Sequence, residues 1–123
     1  MAGTILVVDD AMFVRGMLRD ILVPAGYHVH EAVNGRDAVS KFAELRPDLV
    51  TMDISMPVMD GFEAIREIVR RDPAARTLVI TAQADAAAQH AAREAGAVGF
   101  LAKPFQPTRL LESVSLALAE PEL

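Results

Sequence analysis

The chain has 123 residues, 52% apolar and 24% charged, a balance that suits one compact domain over 1–123 and excludes a disordered tail. It contains no cysteine, which excludes a disulfide framework and a thiolate metal site, and its net charge of -5 argues against nucleic acid as a partner. The opening MAGTILVVDD lacks a basic n-region, and no apolar stretch approaches bilayer length, so a cytoplasmic monomer without a membrane partner is expected.

Short β-branched runs alternate with longer amphipathic stretches. Thr4 to Val8 (TILVV) is a continuous apolar run, as in a strand buried on both faces of a parallel sheet. Asp10 suits an N-cap, and Phe13, Met17, Leu18, Ile21 and Leu22 give the first helix an apolar face, with Met12 read mostly as core. Pro24 and Gly26 end that helix, and Val29 to Val33 reads as a weak edge strand. Asn34 can cap a second helix carrying Val39, Phe42 and Ala43, closed by Arg46 and Pro47. Leu49 to Met52 is a third strand that delivers Asp53 at its end.

After the loop ISMPVMDG, Asp60 with Glu63 resembles a capping box for a helix bearing Phe62, Ile65, Ile68 and Val69. Thr77 to Ile80 is a fourth strand ending at Thr81, and the alanine-rich run Asp85 to Ala95 is a fourth helix stopped by Gly96. Gly99 to Ala102 is a fifth strand ending at Lys103. Pro107 then opens a fifth helix with Leu110, Leu111, Val114 and Leu118 on its inner face. Strict β/α alternation implies an α/β fold, a parallel sheet with right-handed crossovers and helices on both faces.

In such sheets ligands bind beyond the carboxyl ends of the strands, at the topological switch point. Asp9 and Asp10 follow the first strand, Asp53 the third, Thr81 the fourth and Lys103 the fifth. If the first and third strands are neighbours, three carboxylates share one crevice. Two like charges about 4 Å apart repel by roughly 4 kcal/mol at an effective dielectric near 20. One lysine cannot neutralise three acids, so either a pKa rises or a cation binds. Few hard oxygen ligands favour magnesium, with manganese able to substitute. Phosphoryl transfer needs little beyond positioning and charge neutralisation. Asp53 then serves as nucleophile, Lys103 as a fixed cation for one phosphoryl oxygen, and Thr81 as hydroxyl donor to another.

ILVVDD, TMDISMPVMDG, VITA and FLAKPF, in this order, resemble the response-regulator receiver family over essentially the whole chain, and within it the stand-alone chemotaxis type. Each motif alone is weak; together at these spacings they are specific. The resemblance implies a flavodoxin-like doubly wound five-stranded sheet of order 2-1-3-4-5 with five helices. It implies phosphorylation of Asp53 by a phosphohistidine of a sensor histidine kinase or phosphotransfer domain. It makes Asp10 and Asp53 direct magnesium ligands, Ser55 a ligand through its carbonyl, and Asp9 an acid acting mainly through bound water. It makes Lys103–Pro104 a cis peptide, Thr81 and Phe100 a two-residue switch, and the face of the fourth helix, fifth strand and fifth helix the surface that meets a target.

That target would be a flagellar motor switch protein, although Phe100 lacks the hydroxyl of the tyrosine often found there. Ser55 and Gln83, at positions where the family varies, would set how fast the acyl phosphate hydrolyses, alone or with a phosphatase. Small Ala82 would leave the phosphoryl group accessible.

Simpler roles stand beside these. Asp60 and Asp85 are helix caps, His28 and His30 share a strand face without a third ligand, and His90 is an exposed helix residue. A magnesium-dependent phosphatase acting on an external substrate would want an Asp-x-Asp pair and a cap insertion, both absent, so no turnover of an external substrate is expected. An FMN carrier would want hydroxyls and amides where the acids stand, and no P-loop motif is present. The remaining alternative is a receiver serving as phosphorelay shuttle or phosphate sink.

Overall fold

Strands form at the β-branched runs and helices at the amphipathic stretches. The order is β1 (Thr4–Val8), α1 (Met12–Leu22), β2 (His28–Ala32), α2 (Gly35–Leu45), β3 (Leu49–Met52), α3 (Gly61–Arg71), β4 (Thr77–Thr81), α4 (Ala86–Ala95), β5 (Gly99–Ala102) and α5 (Pro107–Ala119). The computed structural model describes residues 3–119; residues 1–2 and 120–123 of the expected domain lie outside the described residues. All pairings are parallel and the strand order is β2-β1-β3-β4-β5, as the resemblance implied. The chain leaves β1 toward β2 on one side and returns to β3 on the other, so the switch point lies between the carboxyl ends of β1 and β3.

Because side chains alternate along a strand, β1 feeds two cores. Ile5 and Val7 pack with Leu18 and Leu22 of α1 and Leu110, Val114 and Ala117 of α5. Leu6 and Val8 join Val39 and Phe42 of α2, Ile65 and Ile68 of α3, and the small Ala88, Ala92 and Ala95 of α4. Each fully buried Leu or Ile contributes about 1.5–3 kcal/mol, which is what fixes the helices to the sheet. Among the described residues, no helix is long and apolar enough to cross a membrane.

Three expected caps are present. Asn34 accepts from the Asp37 N–H, Asp60 from Glu63 and Asp85 from Ala88, at 2.8, 2.9 and 2.8 Å. Gly96 takes the left-handed conformation at φ 110°, which its missing Cβ permits.

The first helix differs from expectation in two ways. Asp10 is not its cap: α1 starts at Met12 behind Ala11, which has no side-chain cap bond, and the Ala11 N–H instead donates to Asp9 Oδ1 at 2.9 Å. The inner face is Leu18 and Leu22 with Val14 and Ile21, whereas Met12 and Phe13 are 76% and 81% exposed and Met17 is also exposed. The helix carries apolar residues around much of its circumference, and only docking on the sheet selects the buried stripe. Ala43 likewise faces solvent, with Ala38 taking the inner position in α2, and β2 begins one residue earlier than expected.

Candidate functional site

The ladder hydrogen bonds run one residue past β1 and β3 and thereby place the acids. The Asp53 N–H donates to Val8 O at 3.1 Å, and the Asp9 N–H donates to Ala32 O at 3.2 Å. Asp9 and Asp53 are therefore buried at the mouth of the switch point while Asp10 remains exposed. Ligand oxygens of Asp9, Asp10 and Asp53 all lie within 4.8 Å of one another. Among the described residues, no other group of three such side chains could hold a metal ion; His28 and His30 on β2 and His90 on α4 are exposed and belong to none.

Lys103 reaches the crevice from the end of β5, where its peptide N–H donates to Thr81 O at 2.9 Å and its bond to Pro104 is cis. Its Nζ lies 2.8 Å from Asp9 Oδ2 and 3.8 Å from Asp53 Oδ2. The lysine is thus spent mainly on Asp9. Asp53 keeps a weak bond from the Ser55 N–H to Oδ1 at 3.3 Å. Burial pushes the Asp53 carboxyl above its ordinary value, Lys103 pulling it down and Asp9 and then Asp10 adding to the rise.

Beside the carboxylates, the buried Thr81 Oγ1 accepts from the Gln83 N–H at 3.1 Å, and Ser55 Oγ lies 3.5 Å from Gln83 Oε1. Ser55, Thr81 and Gln83 therefore form one polar rim next to Asp53, with the exposed Ala82 in the same turn. Phe100 stands apart, lower on β5 in register with Val79, half-buried against the core that contains Ala92.

Three supports were not foreseen. Gly61 opens α3 so close to β3 that a Cβ there would fall 2.3 Å from Asp53 O and 2.6 Å from the Ile54 Cα, so no side chain fits. Its place after the Asp60 cap was the only available signal. Arg15 of α1 donates from Nη1 to the Asp9 carbonyl oxygen and from Nε to Glu31 Oε1 of β2, both at 2.9 Å. Arg19 donates to the other Glu31 oxygen at 2.9 Å. The two guanidiniums, Arg19 foremost, hold the Glu31 carboxyl below its ordinary value.

An all-oxygen donor set with a surplus of negative charge and a partly exposed rim fits a hard divalent cation. The chain belongs to the response regulator receiver domain family, whose profile matches residues 5–115. It is 51% identical to chemotaxis protein CheY of Thermotoga maritima, over 94% of this chain and 97% of that one. It is 49% identical to the Bacillus subtilis chemotaxis protein CheY, over 96% and 99%. The structure of a CheX–CheY–BeF3–Mg2+ complex from Borrelia burgdorferi superposes at a TM-score of 0.91 with 30% identity, covering 96% of this chain and 90% of that one.

Proposed function

We propose that this chain is a single-domain chemotaxis response regulator that takes a phosphoryl group on Asp53 from the phosphohistidine of a sensor kinase or phosphotransfer domain. The observation that carries the reading is the crevice itself, three carboxylates at the switch point with one lysine already engaged by Asp9. Magnesium, or manganese in its place, would be held by Asp10, Asp53 and the Ser55 carbonyl, with Asp9 acting through water. When bound it neutralises the crowded acids and the incoming phosphoryl oxygens.

An Asp53 carboxylate oxygen attacks phosphorus, the P–N bond breaks, and the donor imidazole departs and takes up a proton. Lys103 and the Thr81 hydroxyl would bind the phosphoryl oxygens. Thr81 Oγ1 can keep accepting from the Gln83 N–H while its O–H donates to a phosphoryl oxygen, so the loop after β4 would support the hydroxyl in this role. Phe100, half-buried on β5, would turn inward and alter the α4–β5–α5 face that would meet the target, a flagellar motor switch protein. Ser55 and Gln83, on the polar rim beside Asp53, would set the lifetime of the acyl phosphate, whose hydrolysis releases inorganic phosphate. Apart from turning over its own phosphoryl group, the protein would not process a substrate.

Likeness to two CheY proteins over nearly their full lengths favours chemotaxis over a shuttle or phosphate sink. The relative from B. burgdorferi, solved with BeF3, Mg2+ and CheX, supports a metal-dependent site and a protein partner. Intact-mass measurement after incubation with acetyl phosphate tests the reading. The expected result is a magnesium-dependent gain of one phosphoryl group that is absent from Asp53→Asn. No gain with metal, or an equal gain in the variant, removes Asp53 as the acceptor.

A further inference from the structure

The peptide joining Asp9 to Asp10 is held from three directions. Its amino-side residue donates an N–H to Ala32 O of β2, and the Asp9 carboxylate is fixed between the Ala11 N–H and Lys103 Nζ. The peptide's own carbonyl, Asp9 O, accepts from Arg15 Nη1 at 2.9 Å. That carbonyl determines how the Asp9–Asp10 peptide plane is turned, and so where the exposed Asp10 side chain leaves the backbone.

Arg15 is well placed for such a task. Its side chain is only 12% exposed, against 42% for Arg19, and its Nε is aligned by Glu31. Both arginines share Glu31, but their second contacts differ: Arg15 reaches Asp9 O, whereas Arg19 reaches Val29 O, two residues before Glu31 on β2. Nature has in effect supplied the control.

We propose that Arg15 is a positioning residue for the cation site: oriented by Glu31, it turns the Asp9–Asp10 peptide so that the Asp10 carboxylate faces Asp53 across the crevice. The proposal rests on the reading of Asp9, Asp10 and Asp53 as a cation site. It also opposes what simple electrostatics requires, because removing a positive charge near a cation site should tighten metal binding. Loss of a group that orients a ligand weakens it. The sign of the change therefore separates the two.

Mn2+ binding to the full chain, followed by disappearance of the free-ion electron paramagnetic resonance signal, supplies the test for wild type, Arg15→Met, Arg15→Lys and Arg19→Met. Arg15→Met is expected to bind about tenfold more weakly and Arg15→Lys in between, while Arg19→Met stays within about twofold of wild type. Thermal unfolding gives a second readout. Arg15→Met and Arg19→Met both lose Tm without metal, but only Arg15→Met also loses much of the rise that Mg2+ produces. Should Arg15→Met not fold, Arg15→Lys, which keeps the charge, carries the test. Unchanged or tighter Mn2+ binding in the Arg15 variants, with wild type binding normally, overturns the positioning role alone. Equal weakening by Arg19→Met assigns the effect to the ion-pair network and also overturns it. Absence of Mn2+ binding by wild type overturns the cation site and this role with it.

Discussion

Two acidic residues, one on β2 and one just past the end of β3, meet opposite fates. Glu31 on β2 lies between two guanidiniums, each at 2.9 Å, and its carboxyl is held below the ordinary value. Asp53, after β3, is more deeply buried, has its nearest cation at 3.8 Å, and shares the crevice with two further acids, so its carboxyl is pushed up. One region is electrostatically satisfied and ties α1 to the sheet. The other is left with excess negative charge, which protonation or a bound cation can relieve. A folded protein keeps such a conflict only where the rest of the structure overrides it, which is what makes this crevice the candidate site.

The contrast fixes two pH dependences of opposite sign. A lowered folded-state pKa at Glu31 adds stability that is present above the ordinary value of 4.5 and lost as pH falls through the lowered one. A raised pKa at Asp53 means the folded state binds the proton more tightly. That contribution is complete below the ordinary value of 3.8 and is lost as pH rises through the raised one.

The largest effect is expected from Glu31→Gln, which leaves the barely exposed Arg15 without its counter-charge. It should cost about 2 kcal/mol at pH 7, with the Arg19 share reduced by solvent screening. Urea unfolding from pH 7 downward checks it, and the deficit relative to wild type should shrink in acid. A deficit independent of pH would mean that packing, and not charge, holds this region.

Asp53→Asn should act in the other direction. Without metal at pH 7 it is expected to stabilise by on the order of 1 kcal/mol, because it removes a buried, poorly paired charge. The gain should fade as pH approaches 3.8, where the wild-type carboxyl is itself protonated. A variant less stable than wild type at pH 7 would break the comparison at its centre.

The smallest effect concerns the loop between β3 and α3. Val58 has φ 74°, and the Met59 N–H donates to Pro57 O at 2.9 Å, closing a tight turn around a β-branched residue. Such a residue is strained at positive φ, and here it is also exposed. Val58→Gly should raise stability by about 1 kcal/mol or less, since relief of strain is partly offset by the greater freedom of glycine in the unfolded chain. A clear fall in Tm would show that the crevice region is not strained in its backbone as it is in its charges.

Much of this was legible from local pattern. The alternation of apolar runs and amphipathic stretches, the caps at Asn34, Asp60 and Asp85, and the left-handed stop at Gly96 depend on neighbours a few residues away. The position of Asp9, Asp10, Asp53, Thr81 and Lys103 at strand ends followed from the same periodicity, and parallel strands bring those ends to one edge.

What only the tertiary structure decided depends on partners distant along the chain. Asp9 and Lys103 are 94 residues apart, and their 2.8 Å contact is what leaves Asp53 the less well-paired acid. The stripe of α1 that is buried, the grip of Arg15 on the Asp9 carbonyl, and the backbone approach that excludes a side chain at Gly61 likewise arise only once the helices dock. A sequence states which groups stand at the edge of the sheet. Packing determines which of them find partners, because burial and Coulomb interaction depend on distance in space and not on separation along the chain.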